Sequence, residues 1–190
     1  MSGAEDWEWK LREAAERVRT RYEHIGRKTG APFLAVVYPP DVERSVLREW
    51  HTLAVTLEPE LSVHTVDILD ATARVVDQFG ARALVDSMND PMPGSDPTSE
   101  LGSMWTSAVV GAVRDAAART GKGRPVVVLE RLAALYPASG PRAVMQALWD
   151  SDHAALEGPV LLLIPGLLVD ARVYRFVGQV EEFMYRGDIL

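Results

Sequence analysis

The sequence predicts a three-layer α/β domain, in which a mostly parallel sheet of four or five strands has helices on both faces. The first observation is that short apolar runs alternate along the chain with helical patterns of roughly 10–17 residues, which is typical of βαβ units. The second is that the runs are rich in valine and leucine and are bounded by proline or glycine, as expected for strands buried on both faces. Right-handed crossovers would then place the intervening helices over the sheet.

Composition limits the classes of protein that the chain can represent. Its 190 residues suffice for one domain with a sizeable core, and hydrophobic residues make up 47% of them. The absence of cysteine excludes disulfides, thiolate catalysis and cysteine-ligated zinc. A formal net charge of −7 disfavours broad binding to nucleic acid. No apolar run approaches the ~20 residues needed to span a bilayer, so we expect a cytoplasmic protein without membrane contact.

Four stretches have the composition of buried strands. They are residues 33–38, residues 63–69, the run that begins at Pro125 and ends at Glu130, and residues 158–166. The first is followed directly by two prolines. The chain after the last stretch could add a short strand or a hairpin.

Helical spacing of apolar side chains marks the segments between these strands. Residues 5–29 form an amphipathic pattern, so we assign residues 1–30 to an N-terminal helix and residues 31–190 to a single α/β domain. The helix either covers an edge of the sheet or meets a partner, and we favour coverage within its own chain. The pattern over 71–87 places Phe79 on the inward face. Further helices are predicted over residues 41–57 and 104–119 and from Gly140-Pro141 onward.

Residues 89–103 are predicted to form a long flexible loop. The segment holds three prolines, two glycines and several small polar residues, a composition that ends regular structure. A loop of this length is functional or mobile, and we favour mobile or partner-contacting over catalytic.

Strand ends supply the candidate chemical residues, because ligands of open parallel sheets collect at the carboxyl ends of the strands. The rule nominates Asp41, Asp67, Asp70 and Glu130. If these carboxylates converged, they could hold Mg²⁺ and activate water, as in a nuclease or phosphatase. We favour the simpler interpretation, in which Asp41 and Asp70 are helix caps and Glu130 forms an ion pair with Arg131 or is a solvated strand end.

A nucleotide site is disfavoured by the loop after the first strand. Phosphate binding requires backbone N–H groups at this position, and Pro39 and Pro40 have none. Gly121-Lys122-Gly123 looks like a phosphate-loop fragment, but it precedes a strand and lacks the following Ser or Thr. The sequence therefore indicates no cofactor and no metal, and an enzyme is less favoured than a protein without catalytic activity.

Several short motifs stand at strand ends and turns: Phe33 to Asp41, the turn Leu135-Tyr136-Pro137, the strand end Leu163 to Gly166, and two closing segments, Tyr174 to Phe176 and Glu182 to Asp188. Together these motifs resemble the BrxB family of BREX phage-defence systems. The resemblance spans roughly residues 30–190. It implies a degenerate AAA-type P-loop fold without a phosphate loop, an accessory role beside other BREX components, and a PglZ-type protein as the first candidate partner.

The expected function is therefore a non-enzymatic assembly factor that binds protein. Aromatic and arginine side chains are common interface anchors, and they are dense after the fourth strand. The predicted partner-binding residues are Tyr136, Pro137, Tyr174, Arg175, Phe183, Tyr185 and Arg186. A nucleic-acid-binding subunit stays open as an alternative, although we expect contact with nucleic acid only indirectly.

Overall fold

A largely parallel sheet lies at the centre of the molecule. The computed structural model describes residues 6–119, 121–152 and 156–190. Within them the strands are β1 (Phe33–Tyr38), β2 (Leu61–Asp67), β3 (Arg124–Glu130), β4 (Val160–Asp170), β5 (Val173–Phe176), β6 (Val180–Phe183) and β7 (Asp188–Ile189). The order β2-β3-β4-β1-β7 is parallel throughout, while β5 and β6 extend β4 as antiparallel strands. The predicted fold class is confirmed.

β1 is apolar at every position, because both faces of the sheet are covered around it. All six residues of β1 are buried, and alternate residues enter separate hydrophobic cores. Phe33, Ala35 and Val37 face one core, whereas Leu34, Val36 and Tyr38 face the other. A strand with one solvated face would instead show alternating polarity.

The two sheet faces are covered by different helices. The helices are α1 (Asp6–Thr20), α2 (Glu43–Leu57), α3 (Ile68–Phe79), α4 (Ala81–Asn89), α5 (Pro97–Ala117) and α6 (Pro141–Asp152). α1 and α2 pack together on one face, through residues that include Leu11, Val18 and Trp50. α3, α5 and α6 cover the other face. The N-terminal helix therefore contributes to the core of its own chain.

Several predicted boundaries are corrected by the structure. The N-terminal helix ends at Thr20 rather than near residue 29, and a one-turn 3₁₀ helix follows at Tyr22–His24; residues 1–5 of the segment assigned to this helix lie outside the described residues. The pattern over 71–87 is two helices, because Gly80 separates them with a φ of 85° that glycine adopts readily.

The predicted loop at 89–103 is only partly irregular. α5 begins at Pro97, and the Asp96 side chain accepts a hydrogen bond from the Ser99 backbone N–H at 3.1 Å. An aspartate cap followed by proline at the first helical position is a standard helix start. The irregular connection is thus residues 90–96.

β4 is longer than predicted and belongs to two arrangements. Its first half pairs in parallel with β1 and β3, whereas Gly166 onward pairs with β5, which in turn pairs with β6. We call residues 166–185, which contain this antiparallel part, the β-meander. No helix in the described residues is both long and apolar enough to cross a membrane.

Candidate functional site

Two of the predicted carboxylates are brought together at the carboxyl edge of the sheet. Asp67 ends β2 and Glu130 ends β3, and the two residues are direct partners in the parallel register. Asp67 also caps α3, since its Oδ1 accepts hydrogen bonds from the backbone N–H groups of Leu69 at 3.0 Å and Asp70 at 3.4 Å. The expectation that polar side chains gather at the carboxyl ends of the strands therefore identified two members of a polar cluster.

Glu130 is the most unusual member of this cluster, because its carboxylate is buried. The residue is only 3% exposed, and its two carboxylate oxygens lie 2.9 and 3.0 Å from Nε2 of His51 on α2. Burial raises the pKa of Glu130 above its ordinary value, whereas the hydrogen bond and charge of His51 oppose the increase. The expected structural ion pair of Glu130 is present, but its partner is His51 rather than Arg131, and Glu130 is not a solvated strand end.

Arg131 pairs with the neighbouring strand instead. Its guanidinium Nη1 lies 3.1 Å from Oδ2 of Asp67. The Arg131 backbone has a φ of 57°, in the left-handed region that non-glycine residues seldom adopt. This turn directs the chain from β3 into a one-turn 3₁₀ helix at Leu132–Leu135.

Asp41 and Asp70 do not act as expected. Asp41 lies in a 3₁₀ turn at Pro40–Val42, and Val42 occupies the N-cap position of α2 without a side-chain hydrogen bond. Asp70 stands in the first turn of α3, which Asp67 caps. Among the described residues no three acidic or histidine side chains are grouped to hold a metal ion. The four carboxylates do not form the magnesium site that the rival interpretation required.

An open groove runs along the outer side of α2 beside the Glu130 cluster. The groove is shallow and widely open to solvent. Arg44, Arg48, Leu47, His51, Thr52, Val55, Thr56 and Arg131 line it. On a helix, residues four apart lie above one another, so Arg44, Arg48, Thr52 and Thr56 form one row while Leu47, His51 and Val55 form a second. The groove therefore combines cationic, hydroxyl and apolar side chains.

Sequence reasoning missed this groove and the role of His51. The four-residue spacing of Arg44, Arg48, Thr52 and Thr56 is visible in the sequence, but the apolar stripe on the buried side of the same helix is the stronger pattern. The contact between His51 and Glu130 joins residues 79 positions apart, and no local pattern reports it. Its discovery requires the packing of α2 over β3.

The β-meander contains most of the predicted partner-binding residues, in two different environments. Tyr174 is fully buried, and its hydroxyl donates a hydrogen bond to Oε2 of Glu182 at 2.5 Å. Burial raises the pKa values of both Tyr174 and Glu182. Glu182 Oε2 also accepts the backbone N–H of Arg142 at the start of α6, at 3.0 Å. Tyr174 is therefore a core residue that anchors the meander, which corrects its predicted role in partner binding.

Three other predicted residues of the β-meander, Arg175, Phe183 and Tyr185, are exposed, and Arg186, which follows the meander, is half-buried. Phe183 and Tyr185 are 39% and 60% exposed, and their rings meet edge to face with centroids 4.6 Å apart. Arg175 forms an exposed ion pair with Glu181 at 2.7 Å. The Arg186 guanidinium lies 4.2 Å from the ring centroid of Trp149. These contacts hold the exposed side chains in defined positions.

The Tyr136-Pro137 turn is also exposed. Its peptide bond is cis, and Tyr136 is 41% exposed. The turn follows the 3₁₀ helix after β3 and packs beside α5, since a Cβ on Gly102 would lie 2.0 Å from the carbonyl oxygen of Ala138. The turn is thus fixed against the body of the domain.

Comparison with known proteins does not identify the chain. No family model, no curated protein and no solved structure matches it. The function must therefore be inferred from the described surfaces and from the arrangement at the strand ends.

Proposed function

We propose that this chain is a non-enzymatic accessory protein that acts through protein–protein contacts, as an assembly factor of a BREX-type antiphage defence complex. The observation that supports protein binding best is the apolar surface of the β-meander. The assignment to BREX rests on the resemblance of short motifs to the BrxB family. A PglZ-type component is the first candidate partner, and the proposed location is the cytoplasm.

The β-meander exposes an unusual number of large apolar side chains. Between residues 167 and 185, six of them are at least 39% exposed: Leu167, Leu168, Val169, Val180, Phe183 and Tyr185. Apolar side chains scattered singly over a surface are ordinary, but a concentration of them marks interaction surfaces. Aromatic rings in particular contribute much of the free energy of binding at protein interfaces.

The edge of the β-meander offers a second means of attachment. Within the described strands β6 pairs only with β5, so one edge of its backbone has no strand beside it. An extended segment of a partner can add to such an edge through main-chain hydrogen bonds. Exposed apolar side chains next to an unpaired edge are the combination that this mode of recognition uses.

The residues at the strand ends support catalysis less well than the β-meander supports protein binding. The loop after β1 holds Pro39 and Pro40 where a nucleotide-binding protein needs N–H donors. Asp67 is engaged by the α3 backbone and by Arg131, and Glu130 is buried against His51. These carboxylates have structural partners, which supports a scaffold rather than a hydrolase.

Substitution of exposed meander residues tests the proposal. The variant Leu167→Ser, Phe183→Ser, Tyr185→Ser should lose most of its co-purification with the products of its own operon, since it removes exposed contact area. Val85→Ser, Met88→Ser is the matched control, because both side chains are exposed on α4, at 54% and 41%. Its co-purification should equal that of the unmodified chain.

Point substitutions are preferable to truncation in this experiment. Residues 173–190 include the buried Tyr174 and Phe176 and the strand β7, so deleting them removes core as well as surface. A thermal melt of each variant establishes that it is folded. Unchanged capture of partners by the folded meander variant would contradict the proposed interface.

A further inference from the structure

We propose that the groove along α2 binds an acidic peptide segment of a partner protein that carries an apolar anchor residue. The groove lies on α2 rather than on the β-meander, so it would be a second docking site. The inference rests on the proposed action through protein contacts, but not on the meander surface itself.

The two arginines at the N-terminal end of the groove have no counter-charge. Among the residues that the structure describes, neither Arg44 nor Arg48 forms an ion pair or a side-chain hydrogen bond. The arginines of α1 differ, since Arg12, Arg17 and Arg19 each pair with a glutamate three or four residues earlier. Like charges one turn apart destabilise a helix, and an anionic ligand would remove that cost.

The acid excess of the chain makes these arginines more notable. The formal net charge is −7, yet no carboxylate belongs to the residues that line the groove. Arg131 is paired with Asp67 and His51 with Glu130, so the uncompensated positive charge of the groove lies at Arg44 and Arg48. Guanidinium groups bind carboxylates through paired hydrogen bonds, which makes acidic side chains suitable ligands.

The apolar residues of the groove indicate that the ligand should also carry an apolar side chain. Val55 is 72% exposed, and Leu47 lies two helical turns before it on the same row. An apolar side chain seated between these residues would be removed from water, with the acidic residues directed toward the arginines. From Arg44 to Thr56 the helix rises by about 18 Å, a distance that about six extended residues span.

Nucleic acid fits the groove less well. Single strands are bound through aromatic side chains on which the bases stack, and no aromatic residue lines this groove. Two uncompensated arginines also provide a small phosphate footprint on an acidic chain. A small molecule would be poorly enclosed, because one helix and a single turn residue form the whole lining.

Fluorescence anisotropy with labelled peptides of about eight residues tests the proposal. The probe contains glutamate and aspartate around one central leucine; one control replaces the leucine with serine, and another replaces the acidic residues with lysine. Only the first peptide should bind tightly. Arg44→Glu, Arg48→Glu should weaken its affinity at least about tenfold.

A charge-matched variant controls for the overall field of the protein. Arg74→Glu, Arg119→Glu makes the same change in net charge at exposed positions outside the groove, and it should leave binding within about twofold. Val55→Asp should weaken binding without changing either arginine. Melting curves confirm that every variant is folded.

Three outcomes would overturn the proposal: no binding of the acidic peptide, equal losses in the two charge variants, or tighter binding of a single-stranded oligonucleotide that depends on Arg44 and Arg48. The last would identify a nucleic-acid site. The meander variant used above should bind the peptide normally, so loss of partner capture in that variant bears on the proposed function alone.

Discussion

At the scale of single residues, the contact between His51 and Glu130 is the most consequential. A carboxylate with a side chain 4% exposed meets an imidazole whose side chain is 58% exposed. One partner is therefore isolated from water while the other remains accessible. Loss of the accessible partner would leave the buried one without its hydrogen bond.

His51→Ala should destabilise the fold in a pH-dependent manner. Without His51, burial raises the pKa of Glu130 further, and the native state holds its proton more tightly than the unfolded chain. The variant therefore keeps its stability below pH 4.5, the ordinary pKa of glutamate. It loses stability as the pH rises through the pKa of Glu130 in the native state. Near pH 7 we expect a loss of about 1–3 kcal/mol, toward the lower end because His51 is accessible.

Urea denaturation near pH 4 and near pH 7 measures this effect. His24→Ala is the control, since His24 is exposed and lies beside Arg27 rather than a carboxylate. Glu130→Gln, His51→Ala should abolish the pH dependence attributed to the pair. An equal loss at both pH values would show that His51 contributes packing alone.

At the scale of secondary-structure elements, alanine substitutions at two glycines of α5 are predicted to change the stability of the fold in opposite directions. A Cβ on Gly102 would lie 2.0 Å from the backbone oxygen of Ala138, whereas a Cβ on Gly111 would meet nothing within 4 Å. Gly102→Ala should lower the free energy of unfolding by about 1–3 kcal/mol, because α5 must move away from the turn at residues 136–139. Gly111→Ala should raise it by about 0.5–1 kcal/mol through helix propensity.

Chemical denaturation of the two variants provides the comparison, and each serves as the control for the other. The same substitution in the same helix changes propensity equally, so the difference reports the close approach at Gly102. Stabilisation by both alanines would mean that the turn shifts freely and that α5 does not hold it.

The elements also show how far sequence reasoning reaches. The strands around Phe33, Val126 and Val160 were predicted because continuous apolar composition reflects burial on both faces. The start of α5 at Pro97 was missed, although Asp96 and Pro97 formed a recognisable cap, because proline and glycine content was given more weight than the cap.

Phe79 illustrates a limit of helical periodicity. The residue was predicted to face the core, but it is 50% exposed, and the buried side of α3 is formed by Ile68, Ala71, Thr72 and Val75. A periodic pattern reports that a helix has an apolar side, and the packing of neighbouring elements decides which residues are covered. For the same reason, the sequence did not show that His51 pairs with Glu130. It also did not show that Tyr174 is buried while residues near it in the β-meander are exposed.

At the scale of the whole molecule, the C-terminus completes the sheet. β7 pairs with β1, and Leu190 exchanges backbone hydrogen bonds with Ala35 at 2.8 Å and Val37 at 3.1 Å. The Asp188 carboxylate also accepts the Gly26 N–H at 3.0 Å. The last residues therefore hold β1 on the side away from β4, together with the turn that precedes β1.

Deleting residues 187–190 should lower the free energy of unfolding by about 3–5 kcal/mol, from lost backbone hydrogen bonds and from the lost burial of Leu190. Thermal and urea denaturation measure the change. Glu181→Gln, at an exposed position of the β-meander, is the control and should change stability little. A truncated chain as stable as the full one would show that β7 is dispensable to the sheet.

The continuity of β4 couples attachment to folding. One strand crosses the middle of the parallel sheet and then forms the first strand of the β-meander. A partner that binds only the folded meander stabilises the native state relative to the unfolded chain. This stabilisation grows with the logarithm of the partner concentration. Because the strand is shared, that gain should extend to the entire domain, and a chain without the proposed partner should unfold and be degraded more readily than a bound one.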